Sequence, residues 1–454
     1  MIFRTIATFL YIILEGFFPY CRNIRKVVIM NQPKNKRTLF YSNICELKIN
    51  PRNSRIHHEE QILEIARSII HFGFNNPILI DKNNIIIAGH GRYAAAKRLG
   101  IEKVPTIKLE DLTKEEIKAY IIADNRLAEK AGWDNEILKI EFQELINLGF
   151  DVSLTGFSIP EIDIVINDEA TNTEIIQNLD KIPNPNKIKK RVKKYDLWQL
   201  GKHLLYCGDS TKEESFKTLL GNDQAHCIFS DPPYNVRIQG HVTKNKSHNE
   251  FEFASGEMSK IEFTEFLTKV FELECKYSID GSIHYQCMDW RHLQEILTAG
   301  NKTYSELKNI CVWDKIHPSN GSLYRSQHEL VLVFKNGTAP HRNNIELGKH
   351  GRYRTNIWKV KGMSVCNPQS KVLRDYHPTV KPVSLIMDAL LDCSAPSDLI
   401  LDCFGGSGSV LIAAEKTQRK ARLIEIDPHY CDVILHRWEK ITNKKAVLVK
   451  GGEK

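Results

Sequence analysis

Residues 230–236, SDPPYNV, place two prolines between a carboxylate and an aromatic ring, directly after the apolar run AHCIF. Proline has no backbone N–H and a fixed φ, so Pro232 and Pro233 end a strand and give the chain a rigid, extended exit. Open α/β sheets bind their ligands at the carboxyl ends of strands. We therefore predict that Asp231 and Tyr234 face a cleft with little freedom. For this tetrapeptide taken alone, the alternative is a capped strand end that takes no part in catalysis.

A second cluster, LILDCFGGSGSVLIAAE, is typical of a buried strand, a glycine-rich turn and a helix. Glycines let the backbone approach a ligand closely, and the start of the helix offers free N–H groups. The spacing FGGSGS differs from the dinucleotide fingerprint GxGxxG. The next strand, ARLIEIDPHY, ends in an acid about twenty positions further on, a distance that suits a carboxylate on ribose hydroxyls. The pattern predicts a nucleoside pocket, with a plain tight turn as the alternative.

The elements that must position these clusters follow one pattern from Tyr195 onward. Apolar strand-like runs, among them HLLYCGD, AHCIFSD, LVLVFK and LILDCF, alternate with helical stretches. Such alternation argues for a mostly parallel sheet covered by helices on both faces. Both clusters then fall at strand ends within one α/β unit, which favours one shared site over two unrelated turns.

An earlier unit has its own elements. The stretch EEQILEIARSIIHFG predicts a helix that ends at Gly73, and PILI, DKNN and IIIAG predict a β-hairpin. A short helix, RYAAAKRLG, and a strand, KVPTIKL, follow. A capping box from Thr113 to Glu116 opens a long helix, and helical pattern continues to about Phe157.

Composition bounds the classes of protein. The 454 residues are too many for one ordinary core and indicate two or three domains. Sixty-three Lys and Arg against 55 acidic residues give a formal charge of +8, which fits a nucleic-acid partner without demanding one. The eleven cysteines contain no CxxC and no short paired spacing, so we expect neither a metal site nor a disulfide framework.

Residues 160–194 have blocks of like charge. Six acidic residues and no basic ones lie between Pro160 and Asp180, and seven basic residues and no acidic ones lie between Lys181 and Lys194. Blocky charge with proline and asparagine is typical of a linker. We therefore predict a helical extension over 131–159, a charged linker over 160–194, and a unit over 195–454 that can act without the rest of the chain.

The first 29 residues form an apolar leader. The apolar stretch from Ile6 to Phe18 is interrupted by Glu15, is short for a membrane span, and lacks a small-residue cleavage site before Met30. We interpret 1–29 as an over-extended gene start that is not translated. A signal-like anchor and a hydrophobic helix are the alternatives, and the expected location is cytoplasmic without stable membrane association.

Residues 195–454 resemble the DNA adenine-N6 methyltransferases of the permuted β group. The stretches that carry the resemblance, in the order of that family, are LLYCGDS, SDPPYNV, CVWDK, RSQHELVLVFK, HPTVKP, DCFGGSG and IEIDPHYCD. The resemblance implies a Rossmann-like α/β domain that uses S-adenosyl-L-methionine (AdoMet) and acts at a specific site in double-stranded DNA. Cytosine-N4 methylation is the near alternative, and the acidic first residue of the motif, Asp231, argues against it. A DNA-binding or partition protein without enzymatic activity is the alternative from another class.

The resemblance also implies roles for single residues. Asp231 and the carbonyl of Pro232 accept the two amine hydrogens of adenine, Pro233 keeps the frame rigid, and Tyr234 stacks on the base after it leaves the helix. The residues implied for AdoMet are Asp209, Thr379, Lys381, Asp402, Phe404, Gly406, Gly408 and Glu425. Within that set, Glu425 binds the ribose, Asp209 meets the adenine amine, and Lys381 lies near the methionine carboxylate. A helix N-cap at Asp209 and a solvated Lys381 are the alternatives.

DNA recognition is expected within residues 236–374. The stretch GKHGRYRTNIWK mixes basic and aromatic residues, and its central residues are our candidates for DNA contact: Arg352, Tyr353 and Arg354.

Residues 36–130 resemble the ParB-like N-terminal domain through INPRNSRIH, FGFNNPILID, IIAGHGRYAAAKRLG and VPTIKL. The resemblance implies a smaller α+β domain whose loop, with Gly89, His90 and Arg92, contacts a nucleotide phosphate or serves a partition or nuclease-like role. A brace for the loop is the alternative role of His90 and Arg92. A methyltransferase with such a domain is of the kind that phages and prophages carry, and the resemblance relates it to restriction–modification, although no endonuclease motif indicates a complete restriction system in this chain.

Overall fold

The computed structural model describes residues 37–128, 130–167, 179–183, 188–236, 256–318, 323–345, 354–362 and 380–452. Two compact units follow one another along the chain. The first extends to Asp134 and includes residues 154–156, and the second takes residues 135–153 and 157–454.

The first unit has a four-stranded sheet in the order β1-β4-β2-β3. Its strands are β1 (Leu39–Asn43), β2 (Ile78–Ile80), β3 (Ile86–Ala88) and β4 (Lys103–Lys108), and its helices are α1 (Glu59–Phe72), α2 (His90–Arg98) and α3 (Lys114–Ala128). The predicted hairpin is confirmed, because β2 and β3 pair antiparallel. The capping box is confirmed too: Thr113 Oγ1 accepts from Glu116 N at 3.2 Å, and Glu116 Oε2 accepts from Thr113 N at 2.8 Å.

The second unit begins with two helices, α4 (Asn135–Asn147) and α5 (Ile159–Asn167). Its strands are β5 (Leu197–Leu200), β6 (His203–Cys207), β7 (Ala225–Ser230), β8 (Ser278–Met288), β9 (Glu306–Asp314), β10 (His328–Lys335), β11 (Ile357–Lys359), β12 (Leu399–Asp402), β13 (Lys420–Glu425) and β14 (Val447–Lys450). Its later helices are α6 (Glu213–Leu220), α7 (Lys260–Lys276), α8 (Leu293–Thr303), α9 (Val383–Cys393), α10 (Ser409–Lys416) and α11 (Pro428–Thr442). The ten strands form one sheet in the order β11-β9-β10-β8-β7-β12-β13-β6-β5-β14.

The centre of this sheet is parallel, as the alternation of strands and helices predicted. Strands β8, β7, β12, β13 and β6 run in one direction, and β10 and β5 pair antiparallel on either side. One core packs α6, α7 and α8 against the sheet, and another packs α9, α10 and α11. The predicted α/β class, with a smaller α+β domain before it, is confirmed.

The segment predicted to be a charged linker differs from that expectation wherever it is described. In α5, Asp163 forms a two-point ion pair with Arg419, at 2.7 and 3.0 Å, and the arginine side chain is fully buried. Leu179, Ile182 and Val192 are buried as well. Within the charged blocks, single apolar residues are buried and single carboxylates bind groups elsewhere in the second unit. This part of the chain therefore packs against the second unit instead of forming a solvated tether.

No helix among the described residues is long and apolar enough to cross a membrane. The apolar leader, residues 1–29, lies outside the described residues, and its interpretation stays a prediction.

Candidate active site

Four neighbouring parallel strands each end in a candidate residue. Asp231 follows β7, Asp402 ends β12, Glu425 ends β13, and Asp209 follows β6 by two positions. The carboxyl ends of parallel strands lie at the same edge of a sheet, which is where such folds bind ligands. The two clusters that the sequence singled out are therefore brought to adjacent strand ends.

Asp231 lies at the centre of a network of charged and polar groups. Lys381 Nζ lies 2.8 Å from both carboxylate oxygens of Asp231, 2.8 Å from the Tyr234 hydroxyl and 2.9 Å from Glu329 Oε2. The Tyr234 hydroxyl also donates to Asp231 Oδ1, at 2.7 Å. Lys315 Nζ pairs with the other oxygen of Glu329. The carboxylates of Asp231 and Glu329 thus alternate with the ammonium groups of Lys381 and Lys315 at the carboxyl end of β7.

Burial and charge act in opposite directions on these groups. Burial raises the pKa of Asp231, while the ammonium of Lys381 lowers it. Burial would also raise the pKa of Glu329, but Lys381 and Lys315 outweigh it and hold that pKa at about 2. Burial lowers the pKa of Lys381, and its two carboxylate partners more than reverse the effect, so the net shift is upward. The lysine therefore stays charged and opposes protonation of Asp231.

Sequence reasoning missed two members of the network and did not predict the partners of a third, Lys381, whose role toward AdoMet stays a prediction. Glu329 lies within HELVLVFK, where one acid in an otherwise apolar strand was an available signal, and Lys315 ends CVWDK. Lys381 was predicted to be near the methionine carboxylate of AdoMet, and a solvated lysine was the alternative. Its side chain is only 3% exposed and bonds to Asp231, because that carboxylate and Glu329 balance its buried charge.

The glycine turn after β12 wraps around the Glu425 carboxylate. Gly406 N donates to Glu425 Oε2 at 2.7 Å, and Asp427 N donates to Oε1 at 2.9 Å. Gly408 has φ +80°, a conformation that favours glycine, and a Cβ there would lie 3.1 Å from Ile434 Cγ1, which would have to shift. The turn thus has the close backbone approach that a nucleoside pocket needs.

The acids beside the turn are held in a partly dehydrated state. Burial raises the pKa of Glu425 to about 7, although backbone N–H groups oppose the shift. Burial also raises the pKa of Asp402, whose Oδ1 accepts from Phe404 N at 3.0 Å, and the carboxylates of Asp231 and Glu425 add to this shift. Phe404 is half-buried and packs near Phe266, with ring centroids 6.1 Å apart. A cationic ligand would relieve the repulsion between these carboxylates.

Asp209 organises the turn after β6. Its Oδ1 accepts from the backbone N and the hydroxyl of Thr211, both at 2.8 Å. The N-cap of α6 is Lys212, so Asp209 does not hold the capping position that was its alternative role. Its proposed contact with an adenine amine stays a prediction.

Some candidate residues lie outside the described residues, namely Thr379, Arg352 and Tyr353. Arg354 is described and is bound within its own domain. Its guanidinium pairs with Asp388 at 2.8 Å and Asp392 at 3.1 Å, and it lies 5.2 Å from the Trp358 ring centroid. A role of Arg354 in DNA contact stays a prediction. DNA phosphates would have to replace the two carboxylates that pair with its guanidinium.

In the first unit, Gly89 has φ +101° and is the N-cap of α2. Arg92 Nη2 donates to Pro77 O at 3.4 Å, while Arg92 Nε and His90 Nε2 are buried without a hydrogen-bond partner among the described residues. Burial lowers the pKa of His90, and nearby His57 lowers it further. The nucleotide role predicted for this loop stays a prediction.

A buried polar cluster lies behind the active site. Glu274 Oε2 accepts from the hydroxyl of Tyr304 at 2.9 Å and from Gln286 Nε2 at 2.5 Å. Burial raises the pKa of Glu274 to about 7, with hydrogen bonds from Tyr304 and Gln286 opposing it. Within the described residues, no group of three or more His, Cys, Asp and Glu side chains is arranged to hold a metal ion.

We expect Glu274→Gln to reduce the pH dependence of stability. The pKa of Glu274 is higher in the folded state, so its contribution is complete below the unfolded value of about 4.3 and is lost as pH rises through about 7. The free energy of unfolding of the unsubstituted protein should fall more between about pH 5 and pH 8 than that of Glu274→Gln. Denaturant titrations at the two pH values measure this, with exposed Glu265→Gln on the same helix as the control. Parallel curves for Glu274→Gln and the unsubstituted protein would contradict it.

The fold and the site define an α/β unit with a glycine turn after one strand and an acid–Pro–Pro–aromatic corner after the neighbouring strand. Profiles of known families match three stretches: a DNA methylase over residues 225–436, a ParB-methyltransferase HTH domain over 136–191, and a ParB N-terminal domain over 30–125. Residues 225–436 therefore match the DNA methylase family, and the part of the chain on their N-terminal side matches a ParB-like domain.

Individual proteins are similar to separate parts of the chain. The ParB-like nuclease domain-containing protein YnaK of Escherichia coli K12 is 43% identical over 81 residues, which are 18% of this chain and 93% of that protein. The type II methyltransferase M.HinfI of Haemophilus influenzae is 26% identical over 241 residues, which cover 50% of this chain and 66% of that enzyme, just under two thirds. The M1.HpyAVI–SAM crystal structure has a TM-score of 0.36 and 17% identity, over 52% of this chain and 98% of that one.

Proposed function

We propose that this DNA methyltransferase transfers the methyl group of AdoMet to the N6 amine of adenine at a specific site in double-stranded DNA. The observation that carries the proposal is the ion pair between Asp231 and Lys381, at 2.8 Å. Asp231 follows β7, and the neighbouring strand β12 leads into the glycine turn. The ammonium of Lys381 opposes the rise that burial causes in the pKa of this carboxylate, which lies one strand away from the proposed pocket for the methyl donor.

The chemistry requires activation of a weak nucleophile. The lone pair of the exocyclic amine is delocalised into the ring of adenine. Asp231 and the Pro232 carbonyl would accept its two hydrogens, which draws the nitrogen toward a pyramidal form whose lone pair points at the methyl group. Tyr234 would stack on the base after it leaves the helix, a contact worth about 1–3 kcal/mol. Its hydroxyl already bonds to Asp231, which fixes the orientation of the ring.

AdoMet fits the groups around the glycine turn. Its sulfonium and α-ammonium groups are cationic, and Asp402, Glu425 and Asp231 are the carboxylates whose pKa values burial raises here. Glu425 would bind the ribose hydroxyls, and the turn with Gly406 and Gly408 would let the methionine end approach the backbone. The bound AdoMet supplies the methyl group as an electrophile.

We expect the affinity for AdoMet to rise with pH through about 7, because Glu425 has to be ionised to balance the cationic ligand and its pKa is about 7. Glu425→Gln should weaken AdoMet binding and flatten this dependence, because the amide cannot ionise. Loss of a hydrogen bond to a charged group costs about 1.5–3 kcal/mol, or roughly 10- to 100-fold in Kd.

Isothermal titration of AdoMet into the full chain at several pH values measures this. Glu214→Gln, which removes an exposed carboxylate on α6, is the matched control and should bind as the unsubstituted protein does. A Glu425→Gln variant with unchanged affinity and the same pH dependence would remove Glu425 from the cofactor site.

Cytosine-N4 methylation is the second candidate, because the amine chemistry is shared. The acidic first residue of the motif, Asp231, supports adenine. Single-molecule sequencing of DNA from a methylation-free host that expresses the chain identifies the modified base and the site together. N4-methylcytosine in that DNA would decide for the second candidate, and unmodified DNA would favour a DNA-binding or partition role.

The ParB-like domain would add a second contact with DNA and a nucleotide site. The orphaned nitrogens of His90 and Arg92 beside the start of α2 support a phosphate ligand there. Binding of the nucleoside triphosphates to the full chain, measured by equilibrium dialysis, tests this, and we expect Arg92→Ala to abolish it. DNA as the substrate is consistent with the proposed cytoplasmic location.

A further inference from the structure

Lys381 belongs to a short turn that is held from outside by residues 179–183. Val383 N, the first amide of α9, donates to Asp180 Oδ1 at 2.8 Å. The N-cap of α9 is Pro382, which supplies no side-chain acceptor, so Asp180 performs the capping role from a distant part of the chain. One residue before Lys381, Val380 packs against Ile182 in a small apolar cluster.

The same segment also reaches the glycine turn. Arg437, which is 2% exposed, donates through Nη2 to the carbonyl of Leu179 at 2.8 Å and through Nη1 to the carbonyl of Ser407 at 2.9 Å. Ser407 lies between Gly406 and Gly408. Residues 179–183 therefore contact both loops of the candidate site, one directly and one through a buried arginine.

We propose that residues 179–183 position the two loops of the active site, and that Asp180 is a positioning residue that holds Lys381 against Asp231. The proposal rests on the proposed methyl transfer. Lys381 is fixed on both sides, by Val380 on Ile182 and by Val383 on Asp180. A change at Asp180 releases the turn on the side of α9 and lets the ammonium move from Asp231 toward Glu329.

This displacement has a specific electrostatic result. The titratable groups that face Asp231 or Lys381 in the described residues are Glu329 on β10, Tyr234 after β7, Asp402 on β12 and the Cys287 thiol on β8. Of the groups that act on Asp231, Lys381 is the cation that lowers its pKa, against burial and Glu329, which raise it. If Lys381 moves away, Asp231 protonates at a higher pH. The acidic limb of the pH–rate profile then moves to higher pH.

The test compares Asp180→Ala with Asp180→Asn and Ser259→Ala in the full chain. The asparagine keeps an oxygen for Val383 N. Ser259→Ala removes a cap of the same kind from α7, where Ser259 forms a capping box with Glu262. We expect Asp180→Ala to lower kcat by about 10- to 100-fold with little change in the KM for AdoMet. The acidic limb of the pH profile of kcat should move to higher pH. Asp180→Asn should restore most of the rate, and Ser259→Ala should behave as the unsubstituted protein.

Hydrogen exchange gives a readout independent of activity. Amides of residues 380–386 should exchange faster in Asp180→Ala and unchanged in Ser259→Ala. Unchanged exchange there, or faster exchange with an unchanged kcat and acidic limb, overturns the positioning role. If the unsubstituted chain methylates no DNA, the proposed function fails, and the proposed effect of Asp180 on the reaction fails with it. Faster exchange in Asp180→Ala would then still support the contact between Asp180 and the turn, and unchanged exchange would overturn that contact as well.

Discussion

Asp231→Ala should abolish methyl transfer and leave AdoMet binding nearly unchanged. In the proposed mechanism the carboxylate contacts the target base, while the glycine turn and Glu425 lie one and two strands away. Removal of one preorganised group at a reacting centre costs about 10²–10³-fold in kcat, and we expect a loss of at least this size. Lys381 would keep Glu329 as a partner at 2.9 Å, so the variant should fold.

The measurement pairs single-turnover transfer of labelled methyl groups to DNA with titration of AdoMet. Asp289→Asn, at the end of the neighbouring parallel strand β8, is the matched control, because its carboxylate pairs with Arg291 outside the network. A fully active Asp231→Ala variant would contradict the mechanism. A variant that loses AdoMet binding and transfer together would place Asp231 in the cofactor site.

Asp163→Ala should strongly destabilise the second unit. Arg419 is fully buried, and its other partners are the carbonyls of Thr417 and Ser394 and the hydroxyl of Ser394. Those neutral acceptors take three of its five N–H groups, so the variant leaves two N–H groups unpaired and the charge without a counter-ion among the described residues. Removing one member of a buried ion pair costs about 3–5 kcal/mol, and we expect the free energy of unfolding to fall by that amount.

Denaturant unfolding of the full chain, followed by fluorescence, measures this loss. Glu141→Ala, on the exposed side of α4, is the control and should change stability little. The double variant Asp163→Leu with Arg419→Met should recover part of the loss, because it buries no charge. An Asp163→Ala variant as stable as the control would show that the pair contributes nothing.

The same ion pair changes the expected behaviour of a shortened chain. A protein that begins at Tyr195 lacks Asp163, Asp180 and Leu179, so Arg419 and Arg437 would stay buried with fewer partners. We expect such a protein to be much less stable than one that begins at Asn135. This replaces the sequence-based expectation that residues 195–454 act alone.

Local patterns were enough to predict the parallel sheet, the hairpin and the capping box. Each depends on residues close together in the chain, such as Thr113 and Glu116, whose spacing sets their geometry. The placement of Asp231 and Glu425 at strand ends is also local, because apolar runs stop at the residues in question.

Contacts between residues far apart in the chain could not be predicted in this way. Lys381 is 150 positions from Asp231, and Asp163 is 256 positions from Arg419. The acidic and basic blocks of residues 160–194 indicated a solvated linker because charge is normally exposed. Burial of a few of those charges is possible only because single partners elsewhere neutralise or cap them, and spacing carries no information about such partners.

The geometry around Asp231 bears on how many methyl groups one nitrogen receives. A carboxylate oxygen has two lone pairs. Oδ1 already accepts from Tyr234 and Lys381, and Oδ2 accepts from Lys381, so among the described residues one acceptor position is left, on Oδ2. An unmodified amine can fill it with one hydrogen and offer the other to Pro232. A monomethylated amine has one hydrogen and must leave one of the two acceptors empty, which costs about 1–3 kcal/mol. We therefore expect the product to dissociate before a second transfer and dimethylated base to be absent from the DNA.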